Sequence, residues 1–465
     1  MRRIIQLLFF ILPISVFAED DVPPELQRLS AAVRIPTISH EDPAKMDPKH
    51  FEEFRRFLRQ SYPRVFSTLE VTEIATHSLL LKWQGSEVDL RPVLVDAHYD
   101  VVPIEPGTEV DWNFEPFSGA VEEGYLLGRG SVDNKSPVMA TFEALETLLS
   151  EGYVPERTIY YSLGHDEEIG GRNGAAKIAE HLSEQGVTFE YMLAEGGLVV
   201  DSHPMLPGTQ VVMANLAQKG FLTLTLSTIG EGGHSSSPTA DNSLVRLAEA
   251  VSKLHRNPFE PKLVAPVSDM LAAIGEHSEG FMGFMLRNQW LTAPLLVNQL
   301  AEDRLTGAMV KTTTAVTMFN AGVKDNVIPQ RAEAKVNFRL LPGDSKGSVI
   351  DAVKKIIDDP RVEVASGSWE VIPRIGDIEG PGYNRLQEAV REGLPEAVMI
   401  PGLLIATTDS RHYEDLCDNV YHFQPMFVSI DDAGGIHGTN ERIRVDHYLQ
   451  SVEFARVTIR KITTQ

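Results

Sequence analysis

His98 and Asp100 stand two positions apart where the apolar run Val93-Leu94-Val95-Asp96-Ala97 closes, and chemistry first shows there. Strand side chains alternate faces, so the pair points to one side of a sheet edge. An imidazole beside a carboxylate can bind a metal through one ring nitrogen while the acid fixes the tautomer through the other. H-x-D also occurs in ordinary loops, so the weight comes from further acids and a histidine along the chain. Asp133 sits in the glycine-flanked Gly128-Arg129-Gly130-Ser131-Val132 turn, Glu167 and Glu168 follow an apolar run at 158–163, Glu195 follows another at 191–194, and His437 lies in Ile436-His437-Gly438. Imidazole plus carboxylate without thiolate suits catalytic zinc or a similar divalent ion rather than a closed structural site. Two neighbouring ions need a shared carboxylate, for which Asp133 is the natural candidate. Adjacent Glu167 and Glu168 should point in different directions, one free to bind metal and the other to carry a proton. Amide hydrolysis needs that division, because water needs a base and the departing amine an acid.

The elements that must position these residues can be traced along the chain. Periodicity predicts helices over 23–35 and 51–61 and strands over 79–83 and 92–97. Ser136-Pro137 fits an N-cap followed by proline at the first helical position, opening a helix that runs to about Gly152. A buried strand over 158–163, a helix over 175–185 and a strand over 191–194 complete a strand-helix-strand alternation. That grammar implies an α/β fold with a mainly parallel sheet flanked by helices. In such sheets ligands gather beyond the C-terminal strand ends, where His98, Glu167 and Glu195 are predicted to lie. From about Ala214 the pattern changes: 221–229, 316–319 and 334–340 alternate like antiparallel strands, with helices near 243–254 and 345–357. This reads as an inserted α+β unit, within which 271–305 is apolar and helical. Past about Gly367 the chain should return to the first unit and end in a helix from Val445.

Composition narrows the partners. The chain has 465 residues, 43% hydrophobic and 23% charged, and a formal net charge of -23, which argues against nucleic-acid or anionic-membrane partners. Arg2-Arg3, an apolar run over 4–17 and Val16-Phe17-Ala18 read as a signal peptide cleaved after Ala18. Export to the periplasm or medium is therefore expected, with no stable membrane span once the leader is removed. The single Cys417 rules out an internal disulfide.

The segments H-Y-D-V-V-P, G-R-G-S-V-D-N-K, G-H-D-E-E-I-G-G, A-E-G-G, G-G-H-S-S-S-P, N-V-I-P, T-D-S-R and I-H-G, in this order, resemble the signatures of the di-zinc aminoacylase and carboxypeptidase family. The branch most similar is that of the Gly-X carboxypeptidases and secreted N-fatty-acyl-amino-acid hydrolases/synthases. The resemblance runs from about Leu29 to the C-terminus. It implies a di-zinc catalytic domain formed by residues 19–213 and 368–465 behind a leader at 1–18, with a lid or dimerisation domain inserted at 214–367. A homodimer is compatible with that arrangement. It further implies two Zn2+ per subunit, with Co2+ or Mn2+ as substitutes, one held by His98 and Glu195 and the other by Glu168 and His437. Asp133 would bridge them, Asp100 would orient His98, and Glu167 would be the general base. His234, on the Gly232-Gly233 turn, would stabilise the oxyanion, often from a partner subunit. Arg339 is the leading candidate for a substrate carboxylate, with Asn326 and Arg411 as further candidates.

The expected activity is zinc-dependent cleavage of an amide joining an acyl or peptidyl group to an amino acid with a free carboxylate. Short peptides such as Gly-X and N-fatty-acyl amino acids are competing substrates, and the apolar 271–305 stretch could serve the latter, pack as core or form a dimer contact. A non-catalytic metal- or solute-binding protein is the reading from another class, against which an intact base stands. Phosphoester hydrolysis would call for more basic motifs than these.

Overall fold

The computed structural model describes residues 22–372 and 374–465, so the leader lies outside the described residues. Its larger sheet runs, in spatial order, Glu70–Ile74, Ser78–Trp83, Ile159–Gly164, Val93–His98, Phe189–Ala194, Cys417–His422, Val211–Gln218 and Val398–Leu404. Val93–His98 lies between Ile159–Gly164 and Phe189–Ala194 and is parallel to both. Cys417–His422 continues in the same direction beside Phe189–Ala194, while Ser78–Trp83 turns antiparallel toward one edge. The fold is thus α/β with a mainly parallel centre. These central strands are apolar on both faces because helices cover both. Lys135–Ser150, Val445–Ile462 and Pro24–Val33 bury Phe142, Leu145, Tyr448, Phe454 and Leu29 in a core shared with Val93, Leu163 and Leu193. Ala175–Glu184 closes the other face, with Ile178 and Leu182 packed among Leu94, Tyr160 and Met192.

The helix expected to be capped by Ser136 starts two residues earlier: Lys135 is its first residue and Asn134 its cap. The Lys135 ammonium is fully buried and donates to the carbonyls of Ala32 and Ile35 at 3.1 and 2.5 Å. Charge burial needs such partners, which draws Lys135 into the first turn; the Asn134 side chain is used elsewhere, at the site.

After Lys219 the chain enters a separate antiparallel sheet ordered Thr313–Ala321, Arg331–Leu340, Gly220–Ile229, Val362–Val371. Along Gly220–Ile229 buried and half-buried residues alternate, as in a strand covered on one face. Ser243–Arg256 and Lys346–Ile357 cover it through Leu247, Leu254, Val349 and Val353. Thr313–Ala321, at the edge, is exposed over most of its length. The apolar stretch at 271–305 forms parts of four helices, Val267–Glu276, Gly280–Arg287, Gln289–Glu302 and Arg304–Val310. Their buried side chains pack chiefly with Val211, Ile400 and Leu403 of the larger sheet rather than with the small one. Phe281, Met282, Trp290, Leu291 and Leu295 stay exposed.

Candidate active site at the strand ends

Three parallel strands bring their C-terminal ends side by side, and each hands an acid or imidazole to one hollow. His98 closes its strand and pairs in register with Gly164; Glu195 directly follows Phe189–Ala194, and Glu167 and Glu168 follow Gly164 after a two-residue bend. The His98 ring is 2% exposed. Its Nδ1 lies 3.3 Å from the Asp100 carboxylate, and its Nε2 lies 3.2 Å from Asp133 Oδ1 and 3.0 Å from Glu195 Oε2. The other Asp133 oxygen, Oδ2, is 3.1 Å from His437 Nε2, which is itself 3.1 Å from Glu168 Oε2. Two donor groups result: His98, Asp133 and Glu195, and Asp133, Glu168 and His437. Asp133 belongs to both, through different oxygens.

This arrangement fits a pair of metal ions. Two donors held at about 2.0–2.2 Å from one tetrahedral ion lie roughly 3.3 Å apart, close to the separations above. Like charges converge here and carry the mark of it. Burial, then the Asp133 charge, pushes the Glu168 carboxyl up to about 7. Burial, then the charge of Glu195, pushes Glu167 well above the usual carboxylate range. Asp133 moves the other way: against the cost of burial, hydrogen bonds to His437 and His98 hold it low. Such opposed shifts in one cleft are what bound cations would relieve.

Asp100 does more than face His98. Its two oxygens accept the backbone N–H groups of Glu167 at 3.1 Å and Glu168 at 3.2 Å. One buried carboxylate therefore sets the imidazole and the acid pair together. The acid loop is tied again by Asp166, whose oxygens accept Asn173 N–H and Gly174 N–H at 2.8 and 2.7 Å.

The hollow has a volume of about 260 Å³. Asp133, Glu167, Glu168, Glu195 and His437 form its polar side, and Leu198, Leu404, Ala406, Met426 and Ile436 form an apolar wall. Thr407 lines it too, and its Oγ1 accepts a 2.7 Å hydrogen bond from Arg339 Nη1. The Arg339 guanidinium rests 4.8 Å from the Phe221 ring centre, and no carboxylate pairs with it among the described residues. Burial, then the charge of Arg411, depresses its pKa. His234 and Asn326 lie apart from this group. His234 sits exposed on the two-residue strand Gly233–His234, paired with Val327, and its Nδ1 meets Ser236 Oγ at 2.7 Å. The Asn326 carbonyl accepts the Ser235 N–H at 3.1 Å, and its buried Oδ1 has no hydrogen bond. Neither lines the hollow of this chain.

Three supporting residues are not among the candidates read from the sequence. Glu441, fully buried, accepts the N–H groups of Val132 and Asp133 at 2.9 and 3.1 Å and pairs with Arg129 at 2.7 Å. Asn134 donates to Glu195 Oε2 at 2.9 Å and to Gln424 at 3.0 Å. Glu441 follows His437 by four positions and Asn134 belongs to the G-R-G-S-V-D-N-K segment, signals that do not name these contacts; Gln424 has none.

The model of peptidase family M20/M25/M40 matches residues 94–461. Among curated proteins, the chain is 38% identical over 435 residues to probable carboxypeptidase S-like 2 of Dictyostelium discoideum, covering 92% of this chain and 83% of that one. It is 36% identical over 451 residues to N-fatty-acyl-amino acid synthase/hydrolase PM20D1 of Mus musculus, covering 95% and 88%. Among solved structures, the fold is similar to an M20 family metallo-carboxypeptidase from Sulfolobus solfataricus, with TM-score 0.70 and 19% identity over 95% of this chain and all of that one.

Proposed function

We propose, from the premise that the chain belongs to peptidase family M20/M25/M40, that it hydrolyses the amide joining an acyl or peptidyl group to an amino acid bearing a free carboxylate. The observation that carries this reading is the Asp133 carboxylate, whose two oxygens face two separate imidazole–carboxylate pairs. In this reading His98 and Glu195 would hold one Zn2+, Glu168 and His437 the other, and Asp133 would serve both. When bound, the ions would supply Lewis acidity toward the scissile carbonyl and lower the pKa of water.

The remaining chemistry falls to the chain. Glu167 lines the hollow yet belongs to neither donor group, which leaves its carboxylate free to take the proton of the attacking water and pass it to the leaving nitrogen. Asp100 keeps the His98 ring and the Glu167 backbone in register. Arg339, braced by Thr407 and stacked on Phe221, receives the substrate carboxylate bidentately, with Arg411 and Asn326 weaker candidates. The oxyanion contact is assigned to His234 of a second copy, since the residue stands exposed and away from its own hollow.

The apolar wall favours a hydrophobic side chain or acyl group. Carboxypeptidase S-like and N-fatty-acyl-amino acid synthase/hydrolase relatives support the peptide and long-chain acyl readings alike. A paired assay of the zinc-loaded protein on a Gly-X dipeptide and a long-chain acyl-phenylalanine separates them. A preference of more than about a hundredfold, or ~2.7 kcal/mol, assigns the class. Glu167→Ala should lower kcat about 10³-fold while two zinc ions remain by elemental analysis; near-normal turnover would remove Glu167 from the mechanism. Export is proposed from the leader; no helix of the described residues is long and apolar enough to cross a membrane. Recovered protein should begin at Glu19.

A further inference from the structure

Three buried carboxyls hold the loop that carries Glu167 and Glu168, and they are not alike. Asp100 and Asp166 each accept two backbone N–H groups. Asp409, 1% exposed, accepts no hydrogen bond at either oxygen, and Arg411 Nη2 stands 3.7 Å away. An ionised carboxylate buried in this way would be costly; burial and the neighbouring Asp96 charge accordingly raise its pKa well above the usual range. With no hydrogen bond at either oxygen and Arg411 and His412 no nearer than 3.7 and 4.0 Å, the carboxyl serves this loop by its shape.

That shape matches a notch. A Cβ on Gly171 would fall 1.9 Å from Asp409 Oδ1 and 2.7 Å from its Cγ, and a Cβ on Gly164 would fall 3.0 Å from Oδ2. The carboxyl therefore lies against bare backbone at both ends of the acid loop. Three residues on, His412 Nε2 donates to the Gly170 carbonyl at 3.0 Å. Its imidazole is neutral, because burial and then Arg411 push it down to about 4. On its other side the same segment contributes Thr407 and Thr408 to the wall of the hollow. The segment touches the acid loop from behind and the substrate space in front.

We propose that Asp409, assisted by His412, is a positioning residue that wedges the 164–171 loop so that Glu167 faces the scissile amide. The proposal rests on Glu167 being the base. Displacement of a reacting group by about 1 Å can cost on the order of a hundredfold in rate. Asp409→Ala, which empties the notch, should therefore lower kcat of the zinc-loaded protein about 30-fold or more, with KM within about threefold and two zinc ions retained. Asp409→Asn, neutral and of the same shape, should stay within about threefold of the parent.

A second readout needs no metal: hydrogen exchange of the 164–171 amides in the zinc-free protein should quicken about tenfold in Asp409→Ala and not in Asp409→Asn. If Asp409→Ala yields no folded protein, His412→Ala against His412→Gln, whose amide can still reach the Gly170 carbonyl, carries the same comparison. Parent-like kcat and exchange in the alanine variants would overturn the wedge, as would an asparagine variant as impaired as alanine. A dead Glu167→Ala beside a normal Asp409→Ala sinks only the positioning role, whereas an active Glu167→Ala sinks the base assignment beneath it.

Discussion

His98 and His437 face the same Asp133 carboxylate from opposite surroundings. His98 ends a central strand, its side chain is 2% exposed, and Asp100 steadies its far nitrogen. His437 sits in a loop in the left-handed region at φ +60°, its side chain is 52% exposed, and no hydrogen bond reaches its Nδ1 among the described residues. Sheet register holds the first. The second is held at a distance, through Arg129, which donates to the Gly438 carbonyl at 2.8 Å and pairs with Glu441. The two proposed metal positions, sharing Asp133, therefore need not be equally firm. The partner that orients a ligand adds to affinity as the ligand itself does, and of the two imidazoles only His98 has one in direct contact.

Removing what the two sides share should do the most damage. Asp133→Ala should abolish retention of both zinc ions and lower kcat/KM by about four orders of magnitude, the scale seen when a concerted catalytic unit is broken. Retention of one ion per chain by this variant would contradict the shared carboxylate. Next in size, the two histidines should separate. Zinc should leave the parent in two phases on chelation. His437→Ala should keep one slowly leaving ion, while His98→Ala should lose the slow phase. Identical loss from both variants would erase the asymmetry. Glu441→Gln should rank third: its amide would face Arg129, and affinity for zinc should fall about 10–100-fold, as for other residues that brace ligands. An unchanged affinity would show that the Asp133 loop needs no such anchor.

The legible parts of this molecule are those with a local cause. The strand closing at His98 is readable because β-branched and aliphatic residues bounded by a polar pair leave few alternatives. Adjacent Glu167 and Glu168 announce divergent roles, though the assignment between them comes only with the family resemblance. Helical character in 271–305 is readable from its apolar residues, but apolarity does not name a partner, and its docking onto Val398–Leu404 emerges only in three dimensions. The start of the helix after Asp133 differs from expectation because Ser136-Pro137 is a good local cap, whereas burial of Lys135 is a tertiary demand. The roles of Glu441 and Asp409 are illegible in the sequence for the same reason: each acts on backbone hundreds of positions away, and although Asp409 falls in the T-D-S-R segment, nothing there names the loop it packs against. His234 is chemically conspicuous, yet nothing within one chain brings it to the hollow.

The weakest consequence of the asymmetry concerns protons. In the zinc-free protein, hydrogen bonds to Asp133 and Glu168 raise His437 from its ordinary 6.5 to about 10. A group raised on folding contributes stability below its unfolded pKa and loses it as pH climbs through the folded one. The zinc-free protein should therefore lose this contribution between about pH 6.5 and 10. In the loaded protein the imidazole is a neutral ligand, so the same interval should leave that contribution untouched. Because His437 is half exposed, solvent screens its ion pairs, and the change in Tm should be only about one degree. Differential scanning calorimetry of zinc-free parent and zinc-free His437→Ala at pH 6.5 and 9.5 checks it, the variant showing the flatter dependence. Equal slopes would mean that the exposed imidazole is already unpaired without metal, leaving His98 to carry the proton linkage of the site alone.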